Sequence, residues 1–230
     1  MTISIIIPTL NEAENIGRLV RHLFDSADES VIEVLVCDGG SSDETVRVAL
    51  KAGAKVIECP KKGRAAQMNI GARYAKGDIL YFVHADCIPP PTFFWDIQKA
   101  IAEGNSLGRY RFRFDSRKWM LKFNSFFTRF DRIWCSGGDQ TLFVKSAVFH
   151  ELGGYVDDFL IMEEYDFVLR ARCSNIYTII PKEVVVSARK YDQNSWLRVQ
   201  LANFKVMRMF RKGCSQEEMI GMYKKMLDYR

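Results

Sequence analysis

Apolar positions in the first half of the chain follow two alternating patterns. Short continuous apolar runs, typical of strands that are buried on both faces, occupy four stretches: residues 3–7, 31–37, 54–58 and 79–83. Between these runs apolar residues recur at helical spacing, as in Ile16, Leu19, Val20 and Leu23. Strands that alternate with amphipathic helices predict an α/β fold, a mostly parallel sheet flanked by helices.

Local signals mark the ends of the predicted helices. Ser41 and Glu44 have the spacing of a capping box, which predicts a helix that starts beside them. Another helix is expected over residues 65–75, ending near Gly77. Three prolines at 89–91 then close this half and begin a further helix.

The second half is less regular. Residues 109–114 alternate arginine and aromatic side chains, so a strand there places the two types on opposite faces. A basic amphipathic helix is then predicted, with its aromatic residues on one side: Trp119, Phe123, Phe126, Phe127 and Phe130. Beyond it we expect a strand near 141–144, helices near 147 and 166, two short strands near 180 and 185, and C-terminal helices from about 195.

The composition is that of a folded globular protein. With 230 residues, 48% of them hydrophobic and 27% charged, the chain can bury one full core, which predicts a single domain (1–230) with functional halves 1–90 and 91–230. The six cysteines lack the spacing of a metal site, no export signal is recognisable, and no apolar run reaches the roughly 20 residues that span a bilayer. These features predict reduced thiols and a cytoplasmic protein.

The formal charge of +5 is unevenly distributed. The first 60 residues are net acidic, whereas residues 109–132 and the stretch after 189 are net basic. The basic aromatic helix near residue 120 has two interpretations. Either its aromatic side packs in the core and its basic side faces solvent, or the helix makes a peripheral contact with the inner face of an anionic membrane. Nucleic acid is not an expected partner.

Polar residues follow three of the predicted strands. They lie at 8–12, 37–43 and 84–86, and the carboxyl ends of parallel strands meet at one edge of a sheet, where ligands bind. Individually, Asn11, Asp38 and Asp43 are also favoured turn and cap residues. Their occurrence together favours a ligand site.

These motifs resemble the family 2 glycosyltransferases of the GT-A fold. The first strand and its loop have the sequence SIIIPTLNE at 4–12, and the second strand and its loop have the sequence VCDGGSSDET at 36–45. The pattern continues in order with GRA at 63–65, KGD at 76–78, GGY at 153–155 and EEYD at 163–166. A narrower resemblance is to small bacterial members with HAD, here at 84–86, in place of the acidic DxD triplet; it draws also on GDQ at 138–140 and SARK at 187–190.

The resemblance implies a nucleotide-sugar donor, with a UDP-sugar favoured. Pro8, Thr9 and Glu12 would line the pocket for the base and ribose, and the Asp38 carboxylate would accept a base N–H. Arg64 and Asn69 would reach the diphosphate or the base. Arg189, followed by Lys190, would hold the diphosphate or an anionic acceptor.

A divalent cation and a general base are also implied. Asp86 corresponds to the last aspartate of DxD, which holds Mn²⁺ or Mg²⁺ against the diphosphate, and His84 occupies the first acidic position, as a second metal ligand or a hydrogen-bond donor to phosphate. Glu164 aligns with the family's base, which takes the proton of the acceptor hydroxyl. Asp139 is the competing base, and the acceptor would be a lipid-linked or small-molecule glycan.

Two other functions are considered. A nucleotidyltransferase also has a parallel-sheet nucleotide site, but its glycine-rich basic phosphate loop is expected directly after the first strand, where this chain has PTLNE. A non-catalytic protein that binds the membrane surface is the other alternative. The expected function is an inverting glycosyltransferase.

Overall fold

The computed structural model describes residues 1–27, 30–132 and 141–227. It contains one eight-stranded sheet that draws on both halves of the chain. The strands are β1 (Ile3–Thr9), β2 (Val31–Asp38), β3 (Lys55–Glu58), β4 (Ile79–Phe82), β5 (Cys87–Ile88), β6 (Leu107–Phe114), β7 (Leu142–Lys145) and β8 (Tyr177–Val186).

The sheet has the order β3-β2-β1-β4-β7-β6-β8-β5. β1 pairs in parallel with β2 on one side and β4 on the other, and β2 pairs in parallel with β3. β7 runs antiparallel to both β4 and β6, and β6 pairs in parallel with β8. The predicted α/β architecture with a mostly parallel sheet is confirmed.

Helices cover both faces of this sheet. They are α1 (Ala13–Asp25), α2 (Thr45–Lys51), α3 (Arg64–Tyr74), α4 (Phe93–Ala102), α5 (Trp119–Phe127), α6 (Ser146–Glu151), α7 (Glu163–Ala171), α8 (Lys190–Gln193), α9 (Trp196–Arg211) and α10 (Gln216–Met226). Successive residues of β1 serve opposite layers: Ile5 and Ile7 pack with the apolar face of α1, and Ile6 packs with α3. This alternation explains why the first strand is apolar throughout. α9 and α10 form a third apolar cluster of their own.

The structure corrects two local predictions. The expected pair of short strands near 180 and 185 is one strand, β8, whose pairing with β6 shifts between Ile180 and Glu183. Pro181 lies at this irregularity, and a proline has no N–H to donate to the ladder. The capping box at Ser41 and Glu44 is also wrong: α2 begins at Thr45, its N-cap Glu44 makes no capping hydrogen bond, and Asp43 instead accepts the Thr45 N–H at 3.0 Å.

The alternation at 109–114 is confirmed by β6. Tyr110, Phe112 and Phe114 are buried, while the exposure of the arginines increases along the strand and Arg113 is exposed. Arg109 is only 3% exposed, and its guanidinium donates to the backbone carbonyl of Thr128 at 2.9 Å. The arginine face is therefore solvated at one end only, because the chain that follows α5 covers the other end.

No helix among the described residues is both long enough and apolar enough to cross a membrane. The described cysteines are free thiols: Cys37, Cys59, Cys87, Cys173 and Cys214.

A buried carboxylate ties the start of β1 to the loop before β4. Glu33 of β2 accepts hydrogen bonds from the Ser4 hydroxyl at 2.8 Å, the Lys76 N–H at 2.8 Å and Lys55 Nζ at 3.0 Å. Burial raises the pKa of Glu33, but these hydrogen bonds and the Lys55 charge outweigh it, so the pKa is lowered. The folded protein therefore favours the ionised form.

We expect Glu33→Gln to lower the free energy of unfolding by about 1–3 kcal/mol near neutral pH. Because the folded-state pKa lies below the unfolded value of about 4.3, the stabilisation by the charge is present above that value and is lost as the pH falls through the folded pKa. Denaturant unfolding at neutral and at acid pH measures this, with the exposed Glu151→Gln as control. If the free energy of unfolding of Glu33→Gln differed from that of the wild type by the same amount at both pH values, this prediction would be contradicted.

Candidate active site

The loops after β1 and β2 are bound to each other. The side-chain oxygen of Asn11 accepts the N–H of Ser42 at 2.8 Å, and the Asn11 N–H donates to the Ser41 hydroxyl at 2.8 Å. Asn11 has a φ of 54°, a left-handed conformation that asparagine tolerates better than most residues. The Glu12 N–H also donates to the Thr45 hydroxyl at 2.8 Å. Two of the three predicted loops therefore form one structural unit.

Asp38 is the centre of this unit. Its carboxylate accepts the N–H groups of Gly40 and Ser41 at 3.0 and 2.8 Å and the Ser41 hydroxyl at 2.5 Å, and Thr9 Oγ1 lies 3.3 Å away. The Ser41 hydroxyl is thus bound to Asp38 instead of capping a helix. Asp38 and Thr9 are buried beside Pro8, at the carboxyl ends of β1 and β2. A carboxylate has about four lone-pair sites, and these four contacts match that number, so a base N–H would replace one of the hydrogen bonds that Asp38 accepts within the protein.

Arg189 joins the loops after β1 and β4. Its guanidinium makes two hydrogen bonds to Glu12, at 2.5 and 3.0 Å, and lies 3.3 Å from Asp86. The bonds to Glu12 are the main reason that the pKa of Arg189 is raised. The guanidinium of Arg189, which comes late in the chain, therefore lies between the carboxylates of Glu12 and Asp86, two predicted donor-site residues. Lys190 lies instead over the ring of Tyr223, 6.0 Å from its centre.

His84 and Glu164 form a buried pair. His84 Nε2 lies 3.0 Å from Glu164 Oε1, and about a tenth of each side chain is exposed. Burial raises the pKa of Glu164 above its ordinary value, although the His84 imidazole opposes this. For His84, burial lowers the pKa, but Glu164 outweighs it and the pKa is raised. The pair connects the loop after β4 to the first turn of α7.

A second ion pair lies next to the first. Arg64, at the start of α3, contacts Glu163 of α7 at 2.9 Å, and the Glu163 side chain is 3% exposed. Glu163 Oε2 has no hydrogen-bond partner in the described part of the chain. Arg64 and Asp86 also act electrostatically on His84: Arg64 lowers its pKa and Asp86 raises it. A contact between Arg64 and a diphosphate stays a prediction.

Asn69 makes its hydrogen bonds within the protein. Its amide nitrogen donates to the Tyr155 carbonyl at 2.8 Å and to Asp157 at 2.6 Å, and its oxygen accepts the Tyr155 N–H at 3.0 Å. Both amide hydrogens are therefore used within the protein. The buried Asn69 fastens α3 to the chain ahead of α7, and these contacts favour a structural role over the donor contact that the resemblance implies.

Sequence reasoning missed Gln67, on the buried face of α3. Its amide donates to the carbonyls of Thr9 at 2.7 Å and Cys37 at 2.8 Å, at the ends of β1 and β2. These bonds hold the ends of β1 and β2 side by side, where the loops that follow the two strands begin. Gln67 belongs to none of the motifs named above. The signal in the sequence is a glutamine within a mostly apolar run of a predicted helix, which indicates a polar side chain with a buried partner.

The two predicted metal ligands, His84 and Asp86, contact different partners. Among residues 1–27, 30–132 and 141–227, no three His, Cys, Asp or Glu side chains are grouped to hold a metal ion. His84 Nε2 is directed at Glu164, whereas Asp86 is partly exposed and already faces a cationic group, Arg189. A cation that takes most of its ligands from phosphate needs only one or two protein carboxylates, and Asp86 fits that need. Asp139, the alternative base, lies outside the described residues.

Comparison with known proteins shows a family and a fold. The model of glycosyl transferase family 2 matches residues 4–152, more than half of the chain. Glucosyl-3-phosphoglycerate synthase of Mycolicibacterium paratuberculosis is 35% identical over 103 residues, which are 40% of this chain and 31% of that protein. The chain thus aligns with about a third of the length of the first curated relatives.

Two solved structures show the same architecture. S. aureus TarS 1-349 in complex with UDP-GlcNAc has a TM-score of 0.69 at 17% identity, over 82% of this chain and 59% of that one. Mannosyltransferase PcManGT from Pyrobaculum calidifontis, in complex with GDP-Man and Mn²⁺, has a TM-score of 0.70 at 19% identity, over 91% and 63%. At such identity the likeness shows the fold, and it confirms GT-A.

We expect Asn69→Ala to lower the free energy of unfolding by about 1–3 kcal/mol, because it leaves the buried backbone N–H and carbonyl of Tyr155 without their partner. The affinity of the folded protein for a nucleoside diphosphate should not change. Denaturant unfolding and titration calorimetry measure the two quantities. Unchanged stability together with lost nucleotide affinity would restore the role in donor binding.

Proposed function

Since this chain belongs to glycosyl transferase family 2, we propose that it is an inverting glycosyltransferase that moves a sugar from a UDP-sugar to an acceptor hydroxyl. The observation that carries the proposal is a set of contacts around the strand-end edge: Arg189 bridges Glu12 and Asp86, and His84 contacts Glu164. Family membership favours this function over nucleotidyl transfer. The acceptor would be a lipid-linked or small-molecule glycan, and cytoplasmic location stays a prediction from the sequence.

The donor would bind across the loops after β1, β2 and β4. Pro8, Thr9 and Asp38 line the buried end of that edge, where a carboxylate suits a base N–H. Arg189 is the cation best placed for the diphosphate, because its guanidinium already lies between Glu12 and Asp86. Binding would exchange these carboxylates for phosphate oxygens, which match the guanidinium in the same way.

Asp86 is the proposed protein ligand of a Mn²⁺ or Mg²⁺ ion held with the donor diphosphate. Such an ion supplies positive charge that stabilises the departing nucleoside diphosphate. The Mn²⁺ complex of the Pyrobaculum calidifontis mannosyltransferase supports the assignment. The contact between His84 Nε2 and Glu164 favours a different role for His84, that of holding the Glu164 carboxylate in place.

Glu164 is the proposed general base. Its carboxylate would take the proton of the acceptor hydroxyl while that oxygen attacks the anomeric carbon; the bond to the diphosphate breaks on the opposite side, which inverts the configuration. Burial suits this function, since it raises the pKa of Glu164 and so its affinity for a proton. The other acidic residues of this turn, Glu163 and Asp166, are paired with arginines, whereas Glu164 contacts the titratable imidazole of His84.

We expect UDP with Mn²⁺ at about 100 times its Kd to stabilise the wild type by about 2.7 kcal/mol, or roughly 5–11 °C in Tm. Asp86→Asn should lose most of this shift, while the exposed Asp25→Asn should keep it. Differential scanning fluorimetry with UDP and GDP, with and without metal, measures the effect. No shift with any nucleoside diphosphate would count against the transferase; an equal shift in Asp86→Asn would remove the metal assignment alone.

Glu164→Gln should bind UDP normally and transfer sugar about 100-fold more slowly or worse, because the amide cannot accept the proton. Mass spectrometry of the released nucleoside diphosphate and of the glycosylated product measures transfer after a donor screen, and NMR of the product gives its anomeric configuration. Glu151→Gln is the control. Retained turnover in Glu164→Gln, with loss in Asp139→Asn, would move the base to Asp139.

A further inference from the structure

Helix α9 exposes a row of large apolar side chains on the face away from the protein. Leu197, Leu201 and Phe204 are 60%, 47% and 67% exposed, and their spacing places them on one side of the helix. The opposite side, with Val199, Ala202 and Val206, is buried against α10. Packing of α9 therefore does not require the exposed row, and such rows mark interaction surfaces.

Helix α5 and the turn after it have the same arrangement. Trp119, Phe123, Phe126 and Phe130 repeat the spacing and are 74%, 52%, 46% and 43% exposed, while Leu121 on the other side is 2% exposed. The guanidinium of Arg129 stacks on the ring of Phe126, 4.0 Å from its centre. The aromatic row predicted from the sequence thus faces outward instead of filling the core.

The two helices are neighbours. Trp196 Nε1, at the start of α9, donates to Asn124 of α5 at 3.2 Å. The side-chain amides of Asn124 and Gln200 both donate to the Tyr191 hydroxyl at 3.4 Å. The two apolar rows therefore lie on neighbouring helices, and we call the two stretches together the α5–α9 surface (residues 116–130 and 193–216).

The α5–α9 surface is net basic, although two carboxylates border it: Asp192, 3.4 Å from Lys118, and Glu183, which lines one groove with Lys122 and Phe126. Residues 116–130 contain four Lys or Arg residues and residues 193–216 contain five, and neither stretch contains an Asp or a Glu. Exposed aromatic and leucine side chains among basic residues are the composition of helices that lie in the membrane interface. Each basic residue close to an anionic leaflet adds about 1 kcal/mol of attraction.

We propose that the α5–α9 surface binds the face of an anionic phospholipid bilayer, with both apolar rows inserted among the head groups. The proposal is independent of the transfer reaction, since none of its residues belongs to the donor site. It goes beyond the sequence-based expectation for the helix near residue 120 because α9, a helix without motif residues, supplies half of the surface.

Vesicle flotation tests the proposal with the full chain. We expect the wild type to float with vesicles of phosphatidylcholine and phosphatidylglycerol, to bind pure phosphatidylcholine about tenfold or more weakly, and to be released as the salt concentration rises. Leu201→Ser with Phe204→Ser should lower the partition coefficient on anionic vesicles by about tenfold or more. Lys205→Gln with Arg208→Gln should lower it and flatten the salt dependence.

The matched control is Trp95→Ser, a 63% exposed aromatic on α4, which should bind vesicles like the wild type. All substituted side chains are exposed or partly exposed, so circular dichroism melts should show folded variants. The proposal is overturned if the wild type does not float with anionic vesicles, or if the α9 variants float as well as Trp95→Ser. It is also overturned if light scattering shows that these residues instead hold two copies of the chain together.

Discussion

The parallel pairing of β1 between β2 and β4 is the constraint on which the rest of the structure depends. Ile5 is paired with Val34 on one side and with Tyr81 on the other, so three strands end at the same edge of the sheet. The loops that follow them carry Asn11, Asp38 and Asp86, which are far apart in sequence. A parallel sheet is stable only when both faces are covered, and the two apolar layers that cover it also fix where this edge lies.

Buried charge pairs fix the position of α7 against that edge. His84–Glu164 and Arg64–Glu163 each join a residue of the first half to the first turn of α7. Charges removed from water are tolerated when they are paired and hydrogen-bonded, and the loss of one partner leaves a buried charge without compensation. The same desolvation that makes these pairs depend on each other raises the pKa of Glu164. The contacts that position α7 therefore involve the same side chain, Glu164, that is the proposed general base.

The C-terminal part of the chain connects the site to the outer surface. Arg189 reaches Glu12 across the sheet edge, and the short helix α8 leads from it into α9. The buried side of α9 packs with α10 in a separate apolar cluster, while its other side presents leucine, phenylalanine and basic residues to solvent. Arg189 and the α5–α9 surface are thus neighbours along the chain.

The sequence by itself determined most of the elements, though not the short β5, because strands and helices repeat every two and every 3.6 residues and such periods are local. Composition and motif order gave the family, and the strand-end rule gave the edge at which Asp38 and Asp86 lie. Local pattern failed at Pro181, where a bulge keeps one strand continuous.

Only the tertiary structure decided what each polar side chain contacts. Asn69 bonds to Tyr155, 86 residues away, and His84 bonds to Glu164, 80 residues away. A motif places both among donor-site residues, yet one fastens the fold and the other holds the proposed base. The physical reason is that a hydrogen bond between residues so distant in sequence depends on the packing of whole elements and leaves no periodic pattern in the chain.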